Sequence, residues 1–278
     1  MGRPKSEGYR LEKEVLVARS HIGQGEHERV VSSIQDDASV PMQAVKVLAK
    51  LAGMAPEDSG RSALLSSMDS LLSGAESAGS GVSASVLPMV QALAATAYIA
   101  EGALERALKA TRSESTLELL ALSVQAYLRL DRPDLAEATV RKLADRDDES
   151  ALYQLSAAHT FAALGGEKAK EAVLILKDVL DRYGDGAGPA AMNGLVAAYI
   201  AARNYSAAEK LLAEAASRDP SFPDTLANTV TLAHLQGKTA MAEKALARLK
   251  LEAPNHPILA ALAIGEGQLD RVVASFAI

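Results

Sequence analysis

The feature that most constrains this chain is a two-helix pattern that repeats about every 34 residues. From Ala190 to Pro220 the sequence predicts two amphipathic helices joined by a short polar turn at Arg203-Asn204. The segment from Pro223 to Pro254 follows the same plan. A two-helix unit of this size cannot bury its apolar face alone, so it packs against identical neighbours. The repeat therefore predicts a stack of helical hairpins.

A small residue recurs at one position of the second helix in each unit. Small side chains at this position let the two helices approach closely, while larger neighbours fill the gap. The spacing is that of tetratricopeptide repeats, although the Trp of their consensus is absent and Thr229 replaces an expected Leu. We predict an all-α, right-handed superhelical solenoid of tetratricopeptide-like hairpins. The recurring alanines are Ala136, Ala172, Ala208 and Ala242, at intervals of 36, 36 and 34 residues.

The same pattern extends outward and predicts about eight hairpins in all. We expect one solenoid over residues 1–278, with the clearest repeats at 117–254. Ser73 to Ser85 is rich in Gly, Ser and Ala and predicts a flexible internal loop. The last segment predicts a short closing pair of helices around Gly265 and Gly267. In the middle of the chain, turns are expected at Gly102 and just before Pro133.

Composition excludes several classes of function. The chain has no Cys, which removes disulfides, thiolate nucleophiles and Cys-based metal sites. Its net charge of −6 disfavours binding to a polyanion such as RNA, and its 4% aromatic content does so too. The most apolar stretch, Val86 to Ala100, is shorter than the ~20 residues needed to cross a bilayer. It predicts a buried helix.

No motif in the chain points to catalysis or to a bound metal or cofactor. No two of the five histidines are spaced as zinc ligands on a helix. Gly237-Lys238-Thr239 resembles the end of a phosphate loop, but Leu232 stands where such a loop needs Gly. The acidic run 145–149 lacks the spacing of a calcium loop. We predict a protein that is not an enzyme, without catalytic, metal-binding or cofactor-binding residues.

What stacked hairpins offer instead is a concave groove lined by the first helix of each pair. We expect this groove to bind a partner protein. The candidate residues lie beside the buried stripe of the first helices in the clearest repeats. They are Glu118, Gln125, Arg129, Asn193, Asp224, Thr231 and His234.

Three alternatives stay open from the residues alone. The first is a co-chaperone domain that grips a C-terminal carboxylate, which needs a cluster of Lys, Arg and Asn along the first helices. Here the candidates supply one Arg and one Asn. The second is an RNA-binding helical repeat, which the pI of about 5.5 disfavours. The third is an enzyme built on a helical scaffold.

Several segments, in the same order along the chain, carry a more specific resemblance. It is strongest from Leu119 to Gly184, which contains a Leu-Asp-Arg turn at Leu130 to Arg132 and a turn at Gly165 to Lys168. The ending GQLDRVVASFA fits as well. Together these segments resemble the epsilon subunit family of coatomer, the coat of COPI vesicles. In that family a further helix usually precedes the stretch that matches Gly8 to Gln35.

The resemblance implies a function that the repeat pattern could not supply. It implies a non-enzymatic subunit that binds the C-terminal domain of the alpha subunit within the larger coatomer complex. That coat is cytoplasmic and peripheral on Golgi membranes and COPI vesicles, and it supports Golgi-to-ER and intra-Golgi transport. The resemblance implies no nucleic acid partner, and membrane contact only through the coat.

Overall fold

The computed structural model describes residues 7–55, 58–77, 85–183 and 188–276, and within them every regular element is an α-helix. The prediction of an all-α fold is confirmed. In order, the helices are α1 (Glu7–Gly23), α2 (His27–Ser33), α3 (Val40–Gly53), α4 (Arg61–Ser77), α5 (Val86–Ala100), α6 (Leu104–Thr111), α7 (Leu117–Arg129), α8 (Pro133–Arg146), α9 (Ala151–Leu164), α10 (Gly166–Tyr183), α11 (Pro189–Ala201), α12 (Tyr205–Arg218), α13 (Pro223–Leu235), α14 (Thr239–Glu252) and α15 (Pro257–Phe276).

The helices pack as pairs, and several successive pairs pack on one another. The tightest associations lie within pairs, as between α7 and α8 or between α13 and α14. The first helices of successive pairs also contact each other: α3 contacts α5, and α11 contacts α13. Several second helices also contact the first helix of the following pair: α6 contacts α7, and α10 contacts α11. This nearest-neighbour packing is the arrangement of a repeat protein.

The recurring alanines lie where the sequence places them, between the two helices of a pair. Each has 0% of its surface exposed, so none has room for a longer side chain without displacing its neighbours. On α12, Leu212 and Ala215 are buried beside Ala208, which gives that helix a single apolar face. The prediction of one buried face on this helix is confirmed. The four alanines are Ala136, Ala172, Ala208 and Ala242.

A residue with left-handed backbone follows the first helix of most pairs and reverses the chain. In the α13–α14 turn, Gly237 has φ +71°, and the Lys238 N–H donates back to Ala233 O at 2.8 Å. In the α11–α12 turn Arg203 adopts φ +58° although it carries a side chain. The bond from the Lys238 N–H to Ala233 O ties the α13–α14 turn to the end of α13. Gly237-Lys238-Thr239 therefore connects α13 to α14 and is not part of a phosphate loop.

The chain forms two compact units, Met1–Ser156 and Ala157–Ile278, with the boundary inside α9. In unit 1, helix α5 is almost wholly buried, as predicted, and its Tyr98 is 1% exposed. The Tyr98 hydroxyl donates to Asp69 of α4 at 2.5 Å, and Arg106 of α6 pairs with the same carboxylate and lies over the Tyr98 ring. Burial and the Asp69 hydrogen bond raise the pKa of Tyr98 to about 12.

In unit 2, the core runs between successive first and second helices. Val196 and Tyr199 of α11 pack in one cluster with Leu212 of α12. A second cluster joins Leu226 and Ala227 of α13 to Leu249 of α14. Ile258 and Leu259, at the start of α15, pack against this second cluster and attach that helix to the unit.

The predicted loop from Ser73 to Ser85 begins later than the sequence indicates. Helix α4 continues to Ser77, and the Ser77 hydroxyl donates to Ser73 O at 2.8 Å within it. Ala75 is buried beside Val86 and Val90, so packing against α5 extends the helix over residues that favour a loop. Residues 78–84 of the predicted loop lie outside the described ranges.

The predicted closing pair at the C-terminus is wrong. Helix α15 runs unbroken for 20 residues through Gly265 and Gly267. Neither glycine takes the left-handed backbone that turns the earlier hairpins, so the chain does not reverse. Within the described residues, the chain thus forms seven hairpins followed by one long helix.

Candidate functional site

Three of the predicted partner-binding residues share one face of α7 in unit 1. The Glu118 carboxylate, at its start, forms an ion pair with Arg19 of α1. Arg129, at its end, donates from Nη1 to Ile99 O at 2.8 Å and so satisfies a carbonyl in the last turn of α5. Gln125 lies between them and is exposed. Arg129 is exposed as well, so a partner can reach both side chains.

The Arg19–Glu118 pair defines a surface made by first helices. It joins residues 99 positions apart, on the first helix of the first hairpin and the first helix of the fourth. Helices α3 and α5 stack in sequence between α1 and α7. We call the exposed side that Arg19, Glu118, Gln125 and Arg129 define the first-helix surface of unit 1. Both charges of the pair are partly exposed, so the surface presents an ion pair beside a neutral amide.

Asn193 does not line a groove, which corrects its prediction as a partner-binding residue. It is 3% exposed. Its Nδ2 donates to Pro189 O at 2.9 Å and to Thr225 Oγ1 of α13 at 2.7 Å, while its Oδ1 accepts from Asn228 Nδ2 at 2.9 Å. Asn193 therefore joins two successive first helices. Periodicity places it beside the buried stripe but does not reveal that the next repeat covers it.

The three candidates on α13 differ in exposure. Asp224 is exposed and contacts His256 Nε2 at 3.1 Å, in the segment that precedes α15. Thr231 is half-buried and donates within its own helix to Ala227 O at 3.1 Å. His234 is exposed in the last turn. In unit 2, Asp224 and His234 are the candidates that a partner can reach.

The described residues line several grooves between neighbouring helices. One is a groove of about 830 Å³ lined by α1, α2 and the start of α3, with Ala18, Val30 and Met42 among its walls. A second, of about 440 Å³, lies between α12 and α14. Across the described ranges no three His, Asp or Glu side chains come together to hold a metal ion. The acidic run at 145–149 covers the end of α8 and the segment after it, where Asp147 Oδ1 accepts from the Ser150 N–H at 3.1 Å.

Sequence reasoning missed the exposed apolar residues of α15. Leu269, Val273 and Phe276 are 62%, 58% and 80% exposed. In the sequence these residues form a pattern with an apolar side chain every three or four positions. Because a closing pair of helices is expected there, the pattern is interpreted as the buried face of a packed helix. As for membrane contact, none of the described helices combines the length and the hydropathy needed to span a bilayer.

Known proteins resemble this chain over nearly its whole length. The model of the coatomer epsilon subunit family matches residues 2–277. Coatomer subunit epsilon-1 of Arabidopsis thaliana is 32% identical over 267 residues, covering 96% of this chain and 87% of its own length. Coatomer subunit epsilon of Caenorhabditis elegans is 27% identical over 281 residues, covering 97% and 89%.

Among solved structures, a tetratricopeptide repeat protein from Parabacteroides merdae superimposes with a TM-score of 0.55. The alignment covers 92% of this chain and 98% of that one at 14% identity, which establishes a shared fold. The hairpins of this chain therefore have the tetratricopeptide fold that the repeat spacing predicts. On the family match and these relatives together, the chain belongs to the coatomer epsilon subunit family.

Proposed function

We propose that this chain is a non-catalytic structural subunit of the COPI coat and binds the C-terminal domain of the alpha subunit of coatomer. In this role it supports Golgi-to-ER and intra-Golgi transport, working in the cytoplasm and reaching Golgi membranes and COPI vesicles through the coat. The observation that carries the proposal is the family match over residues 2–277, which includes both compact units.

The first-helix surface of unit 1 is the contact that we propose for the partner. Repeat proteins bind through extended surfaces of stacked first helices rather than through a single pocket. Gln125 lies midway along the exposed face of α7, where a partner can contact it without disturbing the core. The partly exposed Arg19–Glu118 pair supplies one charge of each sign next to it.

A binding measurement with the C-terminal domain of the alpha subunit tests this proposal. We expect the chain to bind that domain, and Gln125→Trp to weaken binding about tenfold, or ~1.4 kcal/mol, because the ring obstructs the surface. The control is Asp145→Trp, an equally bulky change at an exposed position of α8, a second helix. Failure of the folded native chain to bind, or equal loss in both variants, would contradict the proposal.

Of the two candidate side chains that the co-chaperone alternative could use, one is buried and the other bonds to the backbone. Arg129 is bonded to a backbone carbonyl of α5, and Asn193 is buried between α11 and α13. A carboxylate clamp needs such groups free to converge on one ligand.

A further inference from the structure

Helix α15 carries an apolar stripe that nothing in the described part of the chain covers. Its members recur at helical spacing, lie on one face and are between 38% and 80% exposed. No residue of α15 is buried, although the stripe adjoins Ile258 and Leu259, which pack on α13 and α14. We call this set the C-terminal apolar stripe: Leu262, Leu269, Val272, Val273 and Phe276.

The length of α15 sets it apart from the first helices before it. Pro189, Pro223 and Pro257 begin α11, α13 and α15 at intervals of 34 residues, so α15 starts as the next first helix. Helices α11 and α13 have 13 residues, whereas α15 has 20. The additional residues extend about 10 Å past the point where the earlier helices end. Val272, Val273 and Phe276 lie in this extension.

Charge is distributed unevenly around the stripe. Glu266 and Asp270 follow one flank, four residues apart, while the other flank carries the uncharged Ala261 and Gln268. Arg271 projects from the opposite side of the helix at this spacing. Neither carboxylate forms an ion pair with any residue that the structure describes. The stripe is therefore bordered on one side by unneutralised negative charge.

We propose that the C-terminal apolar stripe binds an amphipathic helix of a partner protein, with Lys or Arg on the flank that faces Glu266 and Asp270. Apolar stripes bind helices through side chains every three or four residues, and the flanking charges select the partner. Opposite charge on the incoming helix satisfies both carboxylates. This inference does not depend on the alpha-subunit proposal and concerns a different surface.

The charges also argue against two other occupants. A membrane surface is anionic and attracts helices with basic flanks, whereas this flank is acidic. A second copy paired antiparallel would place the two acidic flanks against each other. Paired in parallel, it would face Glu266 and Asp270 with the uncharged flank of Ala261 and Gln268. Neither pairing supplies the missing positive charge.

Two matched synthetic peptides serve as probes. Both are amphipathic helices of about three heptads with leucine at the apolar positions, one with lysine and the other with glutamate along one flank. Each is labelled at low concentration and titrated with the full chain, and binding is followed by fluorescence anisotropy. The variants are Leu269→Gln with Phe276→Gln, Glu266→Lys with Asp270→Lys, and Arg271→Glu as control. All five side chains are exposed, so urea unfolding should be unchanged.

We expect the native chain to bind the lysine peptide at least about tenfold more tightly than the glutamate peptide, and low salt to widen the difference. The Glu266→Lys, Asp270→Lys variant should reverse this preference. The Leu269→Gln, Phe276→Gln variant should lose both peptides, and Arg271→Glu should behave as native. Equal affinities, absence of binding, or no reversal overturn the proposal. The proposal is also overturned if light scattering shows a dimer that Phe276→Gln abolishes. It is likewise overturned if the chain binds anionic vesicles and Phe276→Gln abolishes that binding.

Discussion

At the scale of single residues, the contacts that define this molecule are made by small and buried side chains. The four recurring alanines have no exposed surface, and each lies between the helices of its own pair. Asn193 and Thr225 are also buried, but they join one first helix to the next through a hydrogen bond of 2.7 Å. The alanines thus allow the two helices of a hairpin to pack closely. The hydrogen bond between Asn193 and Thr225 joins one hairpin to the next.

Replacing a recurring alanine by leucine should destabilise the fold. We expect Ala208→Leu to lower the free energy of unfolding by about 1–3 kcal/mol, because extra methylenes in a closed space displace their neighbours. Ala213→Leu is the matched control, since Ala213 is exposed on the same helix. Urea unfolding measures both. Equal stability of the two variants would mean that α11 and α12 do not approach as closely as described.

Removing the Asn193 side chain should cost stability and leave partner binding unchanged. Asn193→Ala leaves Asn228 Nδ2 without its Oδ1 acceptor and Thr225 Oγ1 without its donor, a loss of about 1–3 kcal/mol. Urea unfolding measures the stability, and titration of the folded variant with the partner domain of the alpha subunit measures binding. Weakened binding with unchanged stability would restore Asn193 as a partner-binding residue.

The cluster around Asp69 should make unit 1 sensitive to acid. Burial raises the pKa of Asp69, but hydrogen bonds from Tyr98 and Arg106 outweigh it and hold the pKa below its ordinary 3.8. The folded pKa is therefore below the unfolded one. The stabilisation is complete above about pH 4 and is lost as pH falls through the folded pKa. Unfolding of the native chain and Asp69→Asn across this range should show their stability difference shrinking. A constant difference would refute this.

At the scale of helices, local sequence signals predict where the hairpins turn, but they do not predict that α15 continues without a break. Pro133 begins α8, and the left-handed turn at Gly102 lies where the sequence indicates. Proline and glycine restrict the backbone directly, so these positions are predictable. Gly265 and Gly267 carry the same turn signal yet remain helical. A glycine permits a turn without requiring one, and the sequence alone does not decide between the two.

Alanine at both glycines of α15 should strengthen that helix. Gly265→Ala with Gly267→Ala places each methyl where no heavy atom lies within 4 Å, and alanine favours a helix by about 1 kcal/mol per site. Hydrogen exchange of the amides after Gly267 should slow about fivefold per substitution. Gly237→Ala is the contrasting control and should destabilise, because Gly237 has φ +71°. Faster exchange in the double variant would contradict a continuous helix.

The candidate site is less predictable than the fold, for a physical reason. Helical spacing identifies which side of a helix a residue occupies, and it correctly places Gln125 and His234 in exposed positions. What covers that side depends on the neighbouring helix, which spacing within one element does not encode. Spacing assigns Asn193 to a groove for this reason, although the next first helix buries it. Spacing likewise does not reveal that Arg129 donates to the Ile99 carbonyl at the end of α5.

At the scale of the whole molecule, the chain is a succession of hairpins, and within each compact unit neighbouring hairpins pack on one another. Stability in such arrays is approximately the sum of the repeats and of the contacts between adjacent repeats. Membership in the coatomer epsilon subunit family extends over both compact units. Neither unit contributes a metal cluster within the residues described, and both expose polar side chains of first helices.

Hydrogen exchange of the chain, with and without the C-terminal domain of the alpha subunit, tests binding through that surface most directly. We predict slower exchange in α7 around Gln125, where a first helix is exposed, and unchanged exchange in α8 around Asp145. The comparison uses one protein in two states, so it needs no substitution that could disturb the fold. Protection confined to the second helices, or no protection in a complex that forms, would contradict partner binding through the first-helix surface.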